Sequence, residues 1–240
     1  MKKLITSIII VTLCLLSQVA DAQTDHSLWN TLVKKHVSNS GKVDYKGIQK
    51  DQGTLTKYLG QLAAKGPTGS DNDQLAYWIN AYNAYTVKLV IDHMPVTSIK
   101  DIAAKVGADT PWDYKFANIG GTKYTLNHIE HSIIRAKYNE PRIHFAVNCA
   151  SESCPKLRNE AYVGQKLDAQ LTEQAKAFLS DKTKNNLSSS PIQISELFSW
   201  FKDDFTKGGT LISFLNKYSN QKIAASESPS YLTYSWKLNN

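Results

Sequence analysis

The densest group of reactive side chains in this 240-residue chain lies between Asn127 and Cys154. It holds His128, His131 and His144, Glu130, Arg135 and Arg142, and two cysteines, Cys149 and Cys154. A nucleophilic cysteine needs a base to take its proton and a third group to orient that base. Cys149 is the candidate nucleophile, because it ends an apolar run and enters a polar loop, Ala150 to Pro155, that could present it to solvent. His131 is the candidate base. Glu130, next to it in sequence, joins it as a catalytic candidate, although on an α-helix neighbouring residues point about 100° apart. Arg135 shares a face with His131 at i and i+4, and Arg142, or the amides of the loop, would bind a substrate. A second reading of the same residues is structural. Two cysteines so close together, exported to an oxidising compartment, suggest a Cys149–Cys154 disulfide with Glu130 and Arg135 as ion-pair or capping groups. His128 and His131 are three apart on a helix, but no third ligand stands at a recognisable metal spacing, so neither a metal nor another cofactor is expected.

These residues need elements to hold them. Asp73 to His93 is the strongest predicted helix. Leu75, Trp78, Ile79, Tyr82, Tyr85, Thr86, Leu89 and Val90 form one face, and Tyr77, Ala81, Ala84, Val87 and Ile91 keep the other apolar, which marks a buried central helix. Asn80 and Asn83 inside it are expected either as clamps on neighbouring loops or as the lining of a substrate pocket. Further helices are expected from Leu28 to Val37, Leu55 to Ala64, Asn127 to before Pro141, Gly164 to Leu179, Glu196 to Phe205 and Thr210 to Tyr218, with Asn127 and Glu130 forming a capping box at the third. Gly120-Gly121 reads as a hairpin turn. Ile143 to Cys149 reads as a strand whose alternation puts His144 on the face opposite Cys149, so His144 is assigned to the polar lining and not to the base. Ile192, Ile194 and the run Tyr231 to Leu238 also alternate. The fold class is therefore α+β, with helices packed around a small, mainly antiparallel sheet.

Composition sets the context. The chain is 42% hydrophobic and 20% charged, which is globular composition. Lys2 and Lys3, an apolar run from Leu4 to Leu16 and small residues at Ala20 and Ala22 have the order of a secretory signal over residues 1–22, leaving 23–240 as one domain without a membrane span. The expected location is exported, periplasmic or secreted. The formal charge of +7 comes from scattered lysines and only three arginines, Arg135, Arg142 and Arg158, which excludes a concentrated nucleic-acid-binding face and leaves the partner unknown.

Several strings go further. They are Tyr77-Trp78-Ile79-Asn80-Ala81-Tyr82-Asn83-Ala84, Ile129-Glu130-His131 with Ile134-Arg135, and the run from Pro141 through Cys149 to Pro155. Phe198-Ser199-Trp200-Phe201-Lys202-Asp203-Asp204-Phe205 and Tyr234-Ser235-Trp236-Lys237-Leu238-Asn239 complete the set. Over roughly residues 70–239 the chain resembles the domain of unknown function 547 family. The resemblance implies that Asn80, Asn83, Glu130, His131, Arg135, His144 and both cysteines recur together. Asn80, Asn83, Arg135, Arg142 and His144 are the expected substrate-binding set. It also implies a thiol or redox role for the cysteines, since family members without an export signal carry the same pair. Where the family often has Asp between the closing Tyr and Trp, this chain has Ser235. The expected activity is thiol-dependent hydrolysis or acyl transfer on an amide or ester. The alternative is a non-catalytic binding domain stapled by the disulfide.

Overall fold

The helix Asp71–His93 runs through the middle of the computed structural model, which describes residues 24–240. It starts two residues before the predicted position because Ser70 and Asp73 close a capping box, each side chain accepting from the other's backbone N–H. Both faces are buried, as the sequence requires of a helix apolar all round. In chain order the helices before it are α1 (Ser27–His36), α2 (Tyr45–Lys50) and α3 (Gln52–Ala64), and it is α4. After it come α5 (Ile102–Val106), the hairpin β1 (Ala117–Ile119) and β2 (Thr122–Tyr124), and a π-helical turn, His128–Ile134, that passes into α6 (Arg135–Lys137). The chain continues through α7 (Leu167–Ser180), β3 (Gln193–Ser195), α8 (Leu197–Trp200), α9 (Lys202–Thr206), α10 (Leu211–Tyr218) and β4 (Ser230–Leu232).

The fold is α+β, but its strands do not join into one mainly antiparallel sheet. β1 and β2 pair antiparallel, with Ala117 opposite Tyr124. Gly120 and Gly121 connect them at φ of 56° and 79°, the two positive angles a tight two-residue hairpin turn demands. β3 and β4 pair parallel, Gln193 with Ser230 and Ser195 with Leu232.

The segment expected as a strand from Ile143 to Cys149 is instead a 3₁₀-helix, Pro141–Phe145, followed by a turn. Its backbone finds side-chain partners in place of a ladder. The Asn83 amide donates to the Ala146 carbonyl at 2.9 Å and its oxygen accepts from the Asn148 N–H at 2.8 Å, while Gln174 donates to the Phe145 carbonyl at 3.1 Å. Once those groups are satisfied the segment has no need of a neighbouring strand. The two-residue alternation that separated His144 from Cys149 is therefore absent.

The C-terminal run is also less regular than expected. Only Ser230–Leu232 is strand, and the remainder is a strap. Lys237 bridges to Ser98 and Leu238 to Ser151, and the Glu152 N–H donates to the Lys237 carbonyl at 2.7 Å. The strap lays Tyr234 and Trp236 beside the loop that follows Cys149. Two apolar clusters make the interior. One surrounds α4, and the other is built on Phe145, Phe178, Phe198 and Phe205 with Ile212 and Leu215. Among the described residues no helix is long and apolar enough to cross a membrane. The signal expected over 1–22 lies outside the described residues.

Candidate functional site

Where the two apolar clusters meet, a cavity of about 160 Å³ opens to the surface. Tyr82 of α4 and Val147 line one side, Leu197, Trp200 and Phe201 another, and Trp112, Tyr234 and Trp236 the mouth. Its reactive groups are Glu130, His131, His144, Cys149 and Cys154, which the fold brings together from the π-turn, the 3₁₀-helix and the loop.

Cys149 sits at the start of a tight turn. Ala150 adopts φ of 62°, a conformation costly for a residue with a Cβ, and is held there by its N–H bond to Asn148 Oδ1 at 2.9 Å and by an acceptor bond from the Asn239 N–H at 3.2 Å. The turn folds Ser151 back over the Cys149 sulfur, with its hydroxyl 3.1 Å away and its backbone N–H also bonded to the sulfur. The Tyr234 hydroxyl, delivered by the strap, lies 3.3 Å from the same atom. Burial opposes ionisation of the thiol, but hydrogen bonds from Cys154, Ser151 and Tyr234 and from the Ser151 backbone outweigh it, bringing Cys149 down to about 7. Cys154 behaves in the opposite sense. Burial and the neighbouring Cys149 sulfur hold it well above the ordinary thiol range, so it remains a donor to the Cys149 thiolate. In return the Cys149 N–H donates to the Cys154 sulfur at 3.0 Å. The disulfide expected between these residues is not formed, and both are free thiols.

The two imidazoles at the cavity have different surroundings. His131 is exposed, and its Nδ1 accepts from Arg135 at 3.0 Å. A guanidinium can only donate, so neutral His131 carries its proton on Nε2 and its basic nitrogen is engaged. His144 is fully buried, stacked on Phe201 with ring centres 3.9 Å apart, and donates from Nε2 to Asp204 at 2.8 Å. Its Nδ1 is buried without a hydrogen-bond partner and holds a free lone pair. Burial lowers the His144 pKa despite the pull of Asp204, which keeps the ring neutral. Asp204 is itself held far below the usual carboxylate range by His144 first, then by Arg135 at 2.6 Å and Lys207 at 3.0 Å, against the cost of burial. Imidazole and carboxylate thus stand in the order of an oriented general base.

The remaining sequence candidates divide. Glu130 is buried and takes a hydrogen bond from the Tyr82 phenol, not from a capping partner, and Asn127 donates to Asp113 instead. The π-turn widens the helix locally and lets adjacent Glu130 and His131 both reach the cavity. Arg135 pairs with Asp204, not Glu130. Arg142 is directed elsewhere, paired with Glu140 and Asp168 and bonded to Thr172 at 2.7 Å. Asn80 and Asn83 lie outside the cavity lining. Asn80 donates to the Tyr162 carbonyl at 2.8 Å and accepts from its N–H at 2.9 Å, so both asparagines are clamps. Ser235 also stands apart from the cavity, donating to Glu152 at 2.8 Å. Asp204, Ser151 and Tyr234 were not singled out from sequence as site residues, although the strings holding them were. Nothing in their spacing, 60 and 85 residues from their partners, reveals the contact. Among the described residues no group of three or more His, Cys, Asp or Glu is placed to hold a metal ion.

No curated protein and no solved structure matches the chain. Residues 68–179 match the family described as Protein of unknown function, DUF547. That stretch runs from the cap of α4 through the π-turn and both cysteines to the end of α7, while Asp204 and Tyr234 come from beyond it. Over this stretch, a little under half of the chain, the protein is similar to the DUF547 family.

Proposed function

We propose that the protein is an exported thiol-dependent hydrolase or acyl-transferase acting on an amide or ester. The carrying observation is the environment of Cys149, a cavity-lining sulfur given three side-chain hydrogen bonds and brought down to about 7. Nucleophilic cysteines are found in such surroundings, whereas inert buried ones are pushed up. Its base is His144, not the His131 expected from sequence, because Nδ1 of His144 is free and Asp204 orients the ring. His144 Nδ1 takes the thiol proton as the sulfur bonds to the substrate carbonyl carbon. It hands that proton to the oxygen or nitrogen leaving group as the C–O or C–N bond breaks, giving a thioester. Water, or an acceptor alcohol or amine, then gives a proton to the same nitrogen while its oxygen or nitrogen attacks the thioester, and the departing sulfur recovers the proton. Asp204 stabilises the transient imidazolium. Export is supported by the order of charged, apolar and small residues over 1–22. A disulfide-stapled binding domain loses its support with both thiols free.

Hydrolysis of 4-nitrophenyl esters by the purified protein tests this reading. Cys149→Ala is expected to abolish it, and Asp204→Asn to lower kcat by about 10²–10⁴-fold with the fold intact. Hydrolysis undiminished in Cys149→Ala would refute the proposal.

A further inference from the structure

Glu130 is the one carboxylic side chain among the described residues lining the cavity, and the catalytic steps do not use it. It is 8% exposed. Buried charges are normally paired with an opposite charge, yet among the described residues no lysine or arginine makes an ion pair with Glu130. The nearby cation, Arg135, is taken by Asp204 and bonded to His131, and among the described residues the hydrogen-bond partner of the Glu130 carboxylate is the phenol of Tyr82. Both imidazoles at the cavity are engaged elsewhere, His131 with Arg135 and His144 with Asp204. Among the described residues this hollow therefore holds a buried carboxylate that no cationic side chain pairs with directly.

The walls around it are aromatic. Trp200 stacks on Trp236 at an interplanar angle of 17°, Tyr234 packs against both, and Trp200 is still 48% exposed. Aromatic faces attract a cation through their negative π surface, and an exposed tryptophan at a cavity mouth leaves such a face available. Trp236, stacked on Trp200, already carries the Lys100 ammonium 4.0 Å from its ring centre, so the carboxylate at the bottom and the Trp200 face at the rim are the two halves of an ammonium-recognising box. At about 160 Å³ the hollow admits one six-membered ring or a short alkyl chain.

Building on the thiol reading above, we infer that this site selects substrates carrying a positively charged amino group, with Glu130 as the counterion and the exposed Trp200 as the flanking face. The group is an alkylammonium borne on the acyl side or leaving side of the ester or amide, and it supplies the charge the cavity lacks.

Binding of cyclohexylmethylammonium and of its neutral counterpart cyclohexylmethanol, each followed by tryptophan fluorescence on the intact protein, tests this without requiring turnover. The cation is expected to bind at least about tenfold more tightly than the alcohol. Glu130→Gln, which keeps the shape of the side chain and its bond to Tyr82, is expected to remove the preference, and Trp200→Leu to weaken the cation by about two- to fivefold. Equal binding of the two ligands, or a preference that survives Glu130→Gln in a variant with native circular dichroism, would overturn the inference. The assay separates the two claims. A cation preference without Cys149-dependent hydrolysis would remove the catalytic reading and keep the ammonium site, and hydrolysis without the preference would do the reverse.

Discussion

Cys149 illustrates how one atom's chemistry is set by groups that the chain supplies from far apart. Ser151 comes from two residues on, Cys154 from five, and Tyr234 from the strap at the other end of the sequence. Each donates to the sulfur, and each is worth more to the thiolate than to the thiol. Removing one donor should therefore raise the thiol pKa. Tyr234→Phe is expected to move it up by about one unit and to slow alkylation at pH 7 correspondingly, while leaving the rate at pH 9.5 little changed. Equal rates in both proteins at pH 7 would mean that the phenol contributes nothing. The pairing of Cys154 with Cys149 also predicts two titratable thiols in non-reduced, denatured protein of residues 23–240, which lacks Cys14, against none if the disulfide staple formed.

At the scale of elements, the decisive structure is the short 3₁₀ segment Pro141–Phe145 and the turn after it. Asn83 holds both ends of that turn from inside α4. Asn83→Ala leaves a buried carbonyl and a buried N–H unpaired, and is expected to destabilise the protein by about 3 kcal/mol, read as a lower urea midpoint with an unchanged slope. A change near zero would show that water or local shifts replace the clamp. This segment also explains what the sequence could and could not reveal. α4 was legible because its signal is long, periodic and closed by Ser70 and Asp73, and the Gly120-Gly121 hairpin because tight turns demand such residues. The clamp role was one of the two readings open for Asn80 and Asn83. Apolar residues at Ile143, Phe145 and Val147 fit a strand equally well, and only the distant amides of Asn83 and Gln174 decide otherwise. The strand reading placed His144 across a sheet from Cys149, a separation that the 3₁₀-helix removes. Glu130, His131, His144 and both cysteines were nevertheless found, because they are clustered in sequence. Asp204 and Tyr234 escaped because a pairing made only by tertiary folding leaves no periodic trace.

For the whole molecule, the buried histidines tie the fold to pH. Burial lowers the His26 pKa to about 4, and burial lowers that of His144 as well. In the unfolded chain both titrate near 6.5, so between their folded and unfolded values the unfolded state binds more protons. Falling pH then favours unfolding, and this stability is present above about 6.5 and lost on the way down towards 4. Asp204 adds to the loss below about 4, since its folded carboxyl is held well under the unfolded value. His26 alone is expected to contribute roughly 3 kcal/mol across its window. Urea midpoints measured from pH 7.5 to 4 should fall steadily, and the fall should flatten in His26→Phe. A midpoint independent of pH over that range would contradict the buried neutral state of these rings. The same design keeps His144 uncharged where Cys149 begins to ionise, so the conditions that stabilise the fold are those that arm the sulfur.

Alkylation of the native protein by iodoacetamide, with the rate followed from pH 5 to 10 and the modified residue located by mass spectrometry, bears most directly on the proposal that Cys149 is an activated nucleophile. The expected result is a single rise with a midpoint of about 7, carried by Cys149 alone while Cys154 stays unmodified. A midpoint at about 8.5 or above, the range of an ordinary thiol, or prior labelling of Cys154, would contradict it.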